Sequence, residues 1–300
     1  MTGTVVDNPT VSAWSKSGLS SLLDGCSWRW LLTKTGLVDD PGSPATVLGT
    51  AYHAAIERHQ RIRIAARRSG TTPVLNRVEI SEHASDVLVD EAAKLPAAQW
   101  EVHGTSLEEL EERLLVAIGN WWDHGLRDLT MRWVPVESEM YVRVAIGDDG
   151  DVIVHGYPDE TYWDPDAAQW VVVDDKSTEK LGQWPQDGAG HEHEGALYVA
   201  ATSASKLSPL VKPRAEWHVA RTITSERANF IPTRRIVRPD LADDAWRDAV
   251  IDRARAAARI VGARAYEKNP QWFLCSKKWC PAFDPCMEKQ TLVPGAVTIR

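Results

Sequence analysis

The residues best suited to chemistry lie between Val152 and Lys176, where the chain reads VIVHGYPDETYWDPDAAQWVVVDDK. Val152, Val154 and the aromatic-rich run from Tyr157 to Trp163 favour extended chain, and Trp170 to Val173 is a short apolar, β-branched run. Asp164-Pro165-Asp166 between them is a turn signal, so a β-hairpin is expected. Alternate side chains of a strand share a face, which points Asp174 and Lys176 the same way and lets Asp159 on the neighbouring strand lie beside them. Two carboxylates make a hard oxygen site for a divalent ion such as Mg²⁺ or Mn²⁺, which polarises a phosphoryl oxygen and acidifies a water. A lysine beside them can orient that water or offset developing charge. The chemistry expected of such a cluster is metal-assisted hydrolysis. The same residues also fit a strand-end carboxylate next to an exposed ion pair, which would contribute little.

Several elements must position that cluster. Val11 to Gly36 mixes serines with leucines and tryptophans and suggests two short helices broken near Gly25, with Cys26 at the break. After the loop Pro41-Gly42-Ser43-Pro44, a helix is expected from about Thr46 to Thr50 through Arg68, with His53 and Glu57 one turn apart. Residues 69 to about 130 read as helical, most clearly Ser81 to Lys94 and Ser106 to Leu129, and Trp121-Trp122 suit a core contact. Val134 to Ile146 alternates like a strand before a Gly147-Asp148-Asp149-Gly150 turn, so three successive antiparallel strands are expected with the site hairpin mid-sheet. His191 to Thr202 suggests a helix, Ala215 to Thr222 a strand, and Pro239 to Lys268 a long amphipathic helix. Its Arg253, Arg255, Arg259 and Arg264 suit either a DNA-facing stripe or a solvated face.

Composition narrows the class. The 300 residues are 43% hydrophobic and 25% charged, which excludes a disordered or fibrous chain. No run approaches the roughly 18 apolar residues of a membrane span, and no basic-then-apolar start marks a secretory signal, so a cytoplasmic protein is expected. A net charge of −8 argues against coating nucleic acid by bulk charge. Local basic runs such as Arg58 to Arg68 and Arg221 to Arg238 suit either phosphate contacts or a solvated face.

Pro158-Asp159 followed by Asp174-Asp175-Lys176 resembles the signature of the PD-(D/E)XK, or restriction-endonuclease-like, nuclease superfamily. The surrounding sequence is similar to its RecB-type exonuclease branch, which includes the nuclease domains of RecB and AddB and CRISPR-associated exonucleases with a cysteine cluster. Gly49-Thr50-Ala51-Tyr52-His53 resembles the family's G-T-x-x-H helix, whose histidine completes the metal site. Ser177-Thr178 matches, in reversed order, the threonine-serine pair that follows the family's lysine. The resemblance implies that Asp159, Asp174 and His53 hold the metal, with the backbone carbonyl of Asp175 as a further ligand, while Lys176 positions the nucleophilic water. The family's Q-x-x-x-Y helix is matched at Tyr198, implied to help hold the substrate strand. Glu194 stands where glutamine is usual. A carboxylate cannot donate as the amide does, so Glu194 is either a substrate contact or a further ligand.

Four cysteines occur: Cys26, and Cys275, Cys280 and Cys286 within FLCSKKWCPAFDPC. Three bunched cysteines in an expected cytoplasmic protein point to a metal or cluster site ahead of disulfides. In the resembling nucleases one N-terminal and three C-terminal cysteines hold a four-iron, four-sulfur cluster that staples the ends of the domain together. Order and number match here, but the wider Cys275 to Cys280 spacing leaves room for a Cys₄ zinc site.

The resemblance implies an α/β fold, a mixed β-sheet core flanked by helices. The expected organisation is a leader over residues 1–10, a nuclease domain over 11–290 with a helical insertion at 69–132, and a tail at 291–300. The implied activity is metal-dependent exonucleolytic cleavage of DNA in phage or bacterial recombination and repair, or in CRISPR adaptation. DNA is the implied partner, together with a single-strand annealing protein or other recombination factor. Two other readings stay open: a non-catalytic DNA-binding or assembly protein of this fold, and a zinc-stabilised interaction domain. The acids would repel phosphate in the first and go unexplained in the second.

Overall fold

The computed structural model describes residues 5–6, 9, 11–138, 141–146, 150–204, 211–271, 275–276, 280–283, 286 and 293–294. Most of the expected leader and tail, and of the Gly147 to Gly150 turn, lies outside the described residues, but Val5–Val6 of the leader pairs in parallel with Val293–Pro294 of the tail. In chain order the elements are β1 (Val5–Val6), α1 (Lys16–Ser20) running into a π-turn at Ser21–Gly25, α2 (Ser27–Lys34), α3 (Pro44–Ser69), α4 (Arg77–Ala92), α5 (Ala97–His103), α6 (Leu107–Asp123) and α7 (Leu126–Met131). They continue as β2 (Val134–Ser138), β3 (Val142–Ile146), β4 (Val152–Gly156), β5 (Glu160–Asp164), β6 (Gln169–Thr178), α8 (Glu192–Ala204), β7 (Arg214–Arg221), β8 (Thr233–Arg238), α9 (Asp244–Ala263) and β9 (Val293–Pro294). Among these residues no helix is long and apolar enough to cross a membrane.

The chain divides into two compact units, one comprising Gly42–Val144 and Gly156–Arg247, the other Met1–Pro41, Ala145–His155 and Asp248–Arg300. The first holds a five-stranded mixed sheet in the order β2-β5-β6-β7-β8. All neighbours are antiparallel except β6 and β7, which run parallel from Val171↔Arg214 to Thr178↔Arg221. A parallel pair needs a crossover, and α8 supplies it. The helix approaches closely because a Cβ on Gly195 would lie 2.7 Å from the Trp217 ring. One face of the sheet thus buries Val199, Ala215, Trp217, Val219, Ile236 and Leu241 together, and the other buries Trp133, Tyr162, Val171 and Val173.

The three successive strands expected from the sequence are not formed. β2 pairs with β5, while β3 and β4 pair with each other outside the main sheet. The first arm of the expected hairpin is interrupted between β4 and β5, where Pro158 has no N–H for a ladder. The second arm is longer than expected, because β6 carries the whole Asp174-Asp175-Lys176 triplet. β8 was hidden inside a stretch that reads as a basic run, and its arginines serve the sheet rather than a solvated face.

The long helix α3 begins at Ser43, whose hydroxyl accepts from the Thr46 N–H, with Pro44 in the first turn, and ends at Gly70 in the left-handed conformation with φ 68°. It packs against α4 and α6 through Leu48, Ile56, Ile80, Leu88, Leu114, Ile118 and Trp121. One arginine of its basic run is structural, while Arg58, Arg61, Arg67 and Arg68 stay exposed. Arg63 is buried and donates to the carbonyl oxygens of Thr130 at 2.9 Å and Trp133 at 2.7 Å, satisfying groups at the end of α7. His59 is fully buried, edge-on to Trp121 at 4.9 Å, and burial pushes its pKa down to about 3.

The second unit ties its early and late segments together. Trp14 exchanges backbone hydrogen bonds with Ile153 and His155, and Ser27 Oγ donates to the Glu267 carbonyl at 3.1 Å and accepts its N–H at 2.7 Å. Trp14, Trp30 and Tyr266 stack in series. Arg255 is bidentate to Asp151 at 3.0 Å, and Arg253 pairs with Asp24. Two of the four arginines of the candidate DNA-facing stripe are therefore engaged with carboxylates.

A buried ionic cluster joins strands β5, β7 and β8. Glu216, 1% exposed, accepts from Arg214 at 2.7 Å, from both Arg235 nitrogens at 2.7 Å, and from His218 at 3.2 Å, and Arg214 also reaches Asp164 at 2.7 Å. Burial alone would raise the Glu216 pKa, but hydrogen bonds from Arg235 and His218 bring it down to about 2. A depressed carboxylate stabilises the fold above its unfolded pKa and loses that contribution as pH falls. Glu216→Gln is therefore expected to cost about 3 kcal/mol near neutral pH. In urea denaturation the gap from the wild-type protein should close as pH drops from about 4.5 towards 2.

Candidate active site

Strand β6 builds the site by alternation. Asp174 and Lys176 face α8, and Asp175 faces the opposite layer. Lys176 Nζ lies 2.5 Å from Asp174 Oδ2 and 3.6 Å from Glu194 Oε1, the glutamate coming from the first turn of α8. Asp159 lies in the break just before β5. Its Oδ2 accepts the Asp175 N–H at 2.7 Å, and its Oδ1 is 3.2 Å from His53 Nδ1 on α3. Four segments, α3, the break before β5, β6 and α8, thus bring together His53, Asp159, Asp174, Lys176 and Glu194.

The charges hold one another. Burial alone would raise the Asp159 pKa, but His53, Lys176 and the Asp175 N–H keep it below the usual carboxylate range. Burial would likewise lower the pKa values of His53 and Lys176, yet the Asp159 and Asp174 carboxylates raise both. Asp174 and Glu194 are nearly inaccessible to solvent. The ring of Tyr198, one turn beyond Glu194, is also buried, and burial together with Asp174 and Asp159 raises its pKa. His191 is half-buried and stacked flat on Trp184 at 3.7 Å, with Nδ1 4.0 Å from Glu194. His193 is exposed, edge-on to Trp246.

Behind the site lies a second acidic pair that the sequence reading missed. Glu160 and Asp175 are fully buried on the opposite face of the sheet with the hydroxyls of Tyr52 and Tyr162. Burial pushes Glu160 up to about 7, and burial plus the neighbouring carboxylates raises Asp175 far above its ordinary value. The Asp175 side chain therefore points away from Asp174, and only its backbone can serve the site. The polar alternation Glu160, Tyr162, Asp164 along β5 was the available signal.

Among the described residues no three His, Cys, Asp or Glu side chains are grouped so that they could hold a metal ion as they stand. The donor types nevertheless suit a hard divalent ion: two carboxylates with one imidazole, in a site whose charge is offset by Lys176 and His53. Cysteines 26, 275, 280 and 286 are all free thiols and line one cavity of about 360 Å³, with Trp28, Arg29 and Phe283 among its walls. Burial raises Cys280 and Cys286, and the neighbouring Cys26 and Cys275 raise both further.

The family model of the PD-(D/E)XK nuclease superfamily matches residues 13–287. The chain belongs to that superfamily. No curated protein matches the chain. Enzymes of the PD-(D/E)XK superfamily are nucleases, generally dependent on a divalent metal such as Mg²⁺ or Mn²⁺, and the mixed sheet flanked by helices fits the restriction-endonuclease-like fold.

The nuclease sets Tyr198 against bare backbone. A Cβ on Gly156 would lie 2.8 Å from Tyr198 Cε1, closer than side-chain carbons approach. Gly156→Ala is expected to displace the ring and cost roughly 1–3 kcal/mol. The Gly156→Ala, Tyr198→Ala double variant should cost less than the sum of the two single variants by at least about 0.5 kcal/mol. Thermal denaturation of the four proteins measures this, and strict additivity would refute the contact.

Proposed function

We propose that this nuclease degrades DNA from an end in a Mg²⁺- or Mn²⁺-dependent hydrolysis, and that its four cysteines hold a four-iron, four-sulfur cluster. The observation that carries the catalytic part is the run of contacts from His53 through Asp159 to the Asp175 backbone, beside the Asp174, Lys176 and Glu194 set. When bound, the divalent ion polarises a phosphoryl oxygen and acidifies a water. Asp159, Asp174 and the Asp175 carbonyl would hold it, with His53 completing the set. Lys176 would orient the attacking water and offset charge developing on phosphate. Glu194 would fix the direction of the Lys176 ammonium, and Tyr198 would support the substrate strand. End-directed action, a place in recombination, repair or CRISPR adaptation, and work beside an annealing protein all rest on the likeness to the RecB-type branch. Four unpaired thiols suit a reducing, cytoplasmic compartment.

The cavity among the cysteines favours a cluster over zinc. A tetrahedral zinc ion draws four sulfurs to about 2.3 Å from itself and leaves no room among them. A cavity of about 360 Å³, which the four cysteines line together with Trp28, Arg29 and Phe283, leaves room for a larger inorganic core.

End-labelled linear and closed circular DNA, incubated with Mg²⁺ or Mn²⁺, test the catalytic part. Loss of linear DNA alone is expected, with Lys176→Ala lowering the rate by about 10²- to 10⁴-fold. Cutting of circles would make it an endonuclease, and inactivity with both metals would leave a DNA-binding protein of this fold.

Metal analysis after oxygen-free purification tests the other part. Iron and inorganic sulfide are expected, and Cys26→Ala should lose both and melt at lower temperature. Stoichiometric zinc, or a Cys26→Ala protein that keeps its iron and stability, would overturn the cluster.

A further inference from the structure

The glutamate beside Lys176 is itself held by a neighbour. Glu194 carries several rotatable bonds, so its place in the first turn of α8 leaves the direction of its carboxylate open. His191 lies just before α8, and its carbonyl oxygen accepts the Glu194 N–H at 3.1 Å and the Gly195 N–H at 3.3 Å. Residues three apart at a helix start are neighbours, and here His191 Nδ1 is 4.0 Å from Glu194 Oε2. The other oxygen, Oε1, is 3.6 Å from Lys176 Nζ. The carboxylate thus lies between an imidazole and an ammonium.

The imidazole is the fixed member of this set. Its ring lies flat on the buried indole of Trp184, with centroids 3.7 Å apart and planes within 9°. Its Nε2 is 3.2 Å from the Gln183 carbonyl oxygen, which can only accept, so Nε2 donates and Nδ1 is turned towards Glu194. The segment that supplies both supports is anchored on β8. Arg234 donates to the carbonyl oxygens of Leu181, at 3.1 Å, and of Trp184, and Arg238 donates to that of Asp187 at 2.7 Å. A ring gripped on its face and at one edge cannot swing away, whereas a glutamate on a helix can.

We propose that His191 is a positioning residue of the active site, which holds the Glu194 carboxylate in place and through it the direction of the Lys176 ammonium. Lys176 then stays between Asp174, at 2.5 Å, and Glu194 instead of turning to Asp174 alone. The catalytic consequence rests on the nuclease reading, in which Lys176 orients the attacking water, whereas the contact itself does not. A displacement of about 1 Å at such a group costs on the order of 10²-fold in rate.

Competitive acetylation of amines, read by mass spectrometry with EDTA present, measures how firmly Lys176 is held without any DNA. Lys176 labelling is taken relative to Lys94, whose side chain is 66% exposed. In Glu194→Ala the ratio should rise about 2- to 10-fold, and in His191→Ala by a similar factor. Adding His191→Ala to Glu194→Ala should change it by less than about twofold, because His191 acts through Glu194. His191→Phe keeps the flat contact with Trp184 but neither ring nitrogen, and it should show the same rise, so the test survives a His191→Ala protein that does not fold. With DNA and Mg²⁺ or Mn²⁺, both His191 variants should lose about 10- to 100-fold in kcat, with KM changed less than about threefold. An unchanged ratio in folded protein, as a purely structural histidine would give, or additive effects in the double variant would overturn the proposal. A wild-type protein whose variants label as expected but which cuts nothing with either metal would refute the nuclease reading and leave His191 holding Glu194.

Discussion

Burying like charges on both faces of one strand is the constraint on which the rest of this unit depends. Asp174 and Asp175 alternate on β6, and Asp159 and Glu160 alternate at the start of its neighbour, so four acids crowd a small volume. Isolated carboxylates cannot be buried this way, and they must either be paired or protonated. The structure does one on each face. Lys176 and His53 compensate Asp174 and Asp159, while Glu160 and Asp175 are pushed towards their neutral forms. Nearness to His53 and Lys176 holds Asp159 below the usual carboxylate range, whereas burial pushes Glu160 and Asp175 above it.

The parallel β6–β7 pair explains how the remaining site groups arrive. Its crossover lays α8 over the Asp174 face, and Gly195 lets the helix come close enough for Glu194 to reach Lys176. On the other face, α3 spans the layer and brings His53 to Asp159 while Arg63 secures the turn before β2. Glu216 with its arginines holds β7 and β8 to the strand that opens at Asp159. Such a cluster contributes through geometry more than through net charge burial, because removing one member would leave the others uncompensated.

The cysteine unit solves a different problem. It joins segments from the two ends of the chain through backbone pairs, the Ser27–Glu267 exchange and stacked aromatics, and it leaves four thiols around an open space. The hydrogen bonds and stacking supply closure of the long loop, and a metal core would add to it by binding only the assembled state.

Much of the site was legible before any coordinates. Turn chemistry, strand alternation and the D-x-K triplet placed Asp159, Asp174 and Lys176 together, because spacing along a strand dictates which side chains share a face. The helix carrying His53 was legible from its start signals and apolar period, and Ser43 and Gly70 close it. Composition bounded the class. What the sequence could not determine were partners across the sheet: that β2 skips to β5, that β8 joins the edge, that Arg63 and His59 are buried, and that Glu160 pairs behind the site with Asp175. Local rules act over a few residues, whereas strand order and the burial of a charged side chain depend on residues tens to hundreds of positions away. Only the tertiary structure brings those residues close enough to hold Asp159 below the usual carboxylate range and push Glu160 and Asp175 above it.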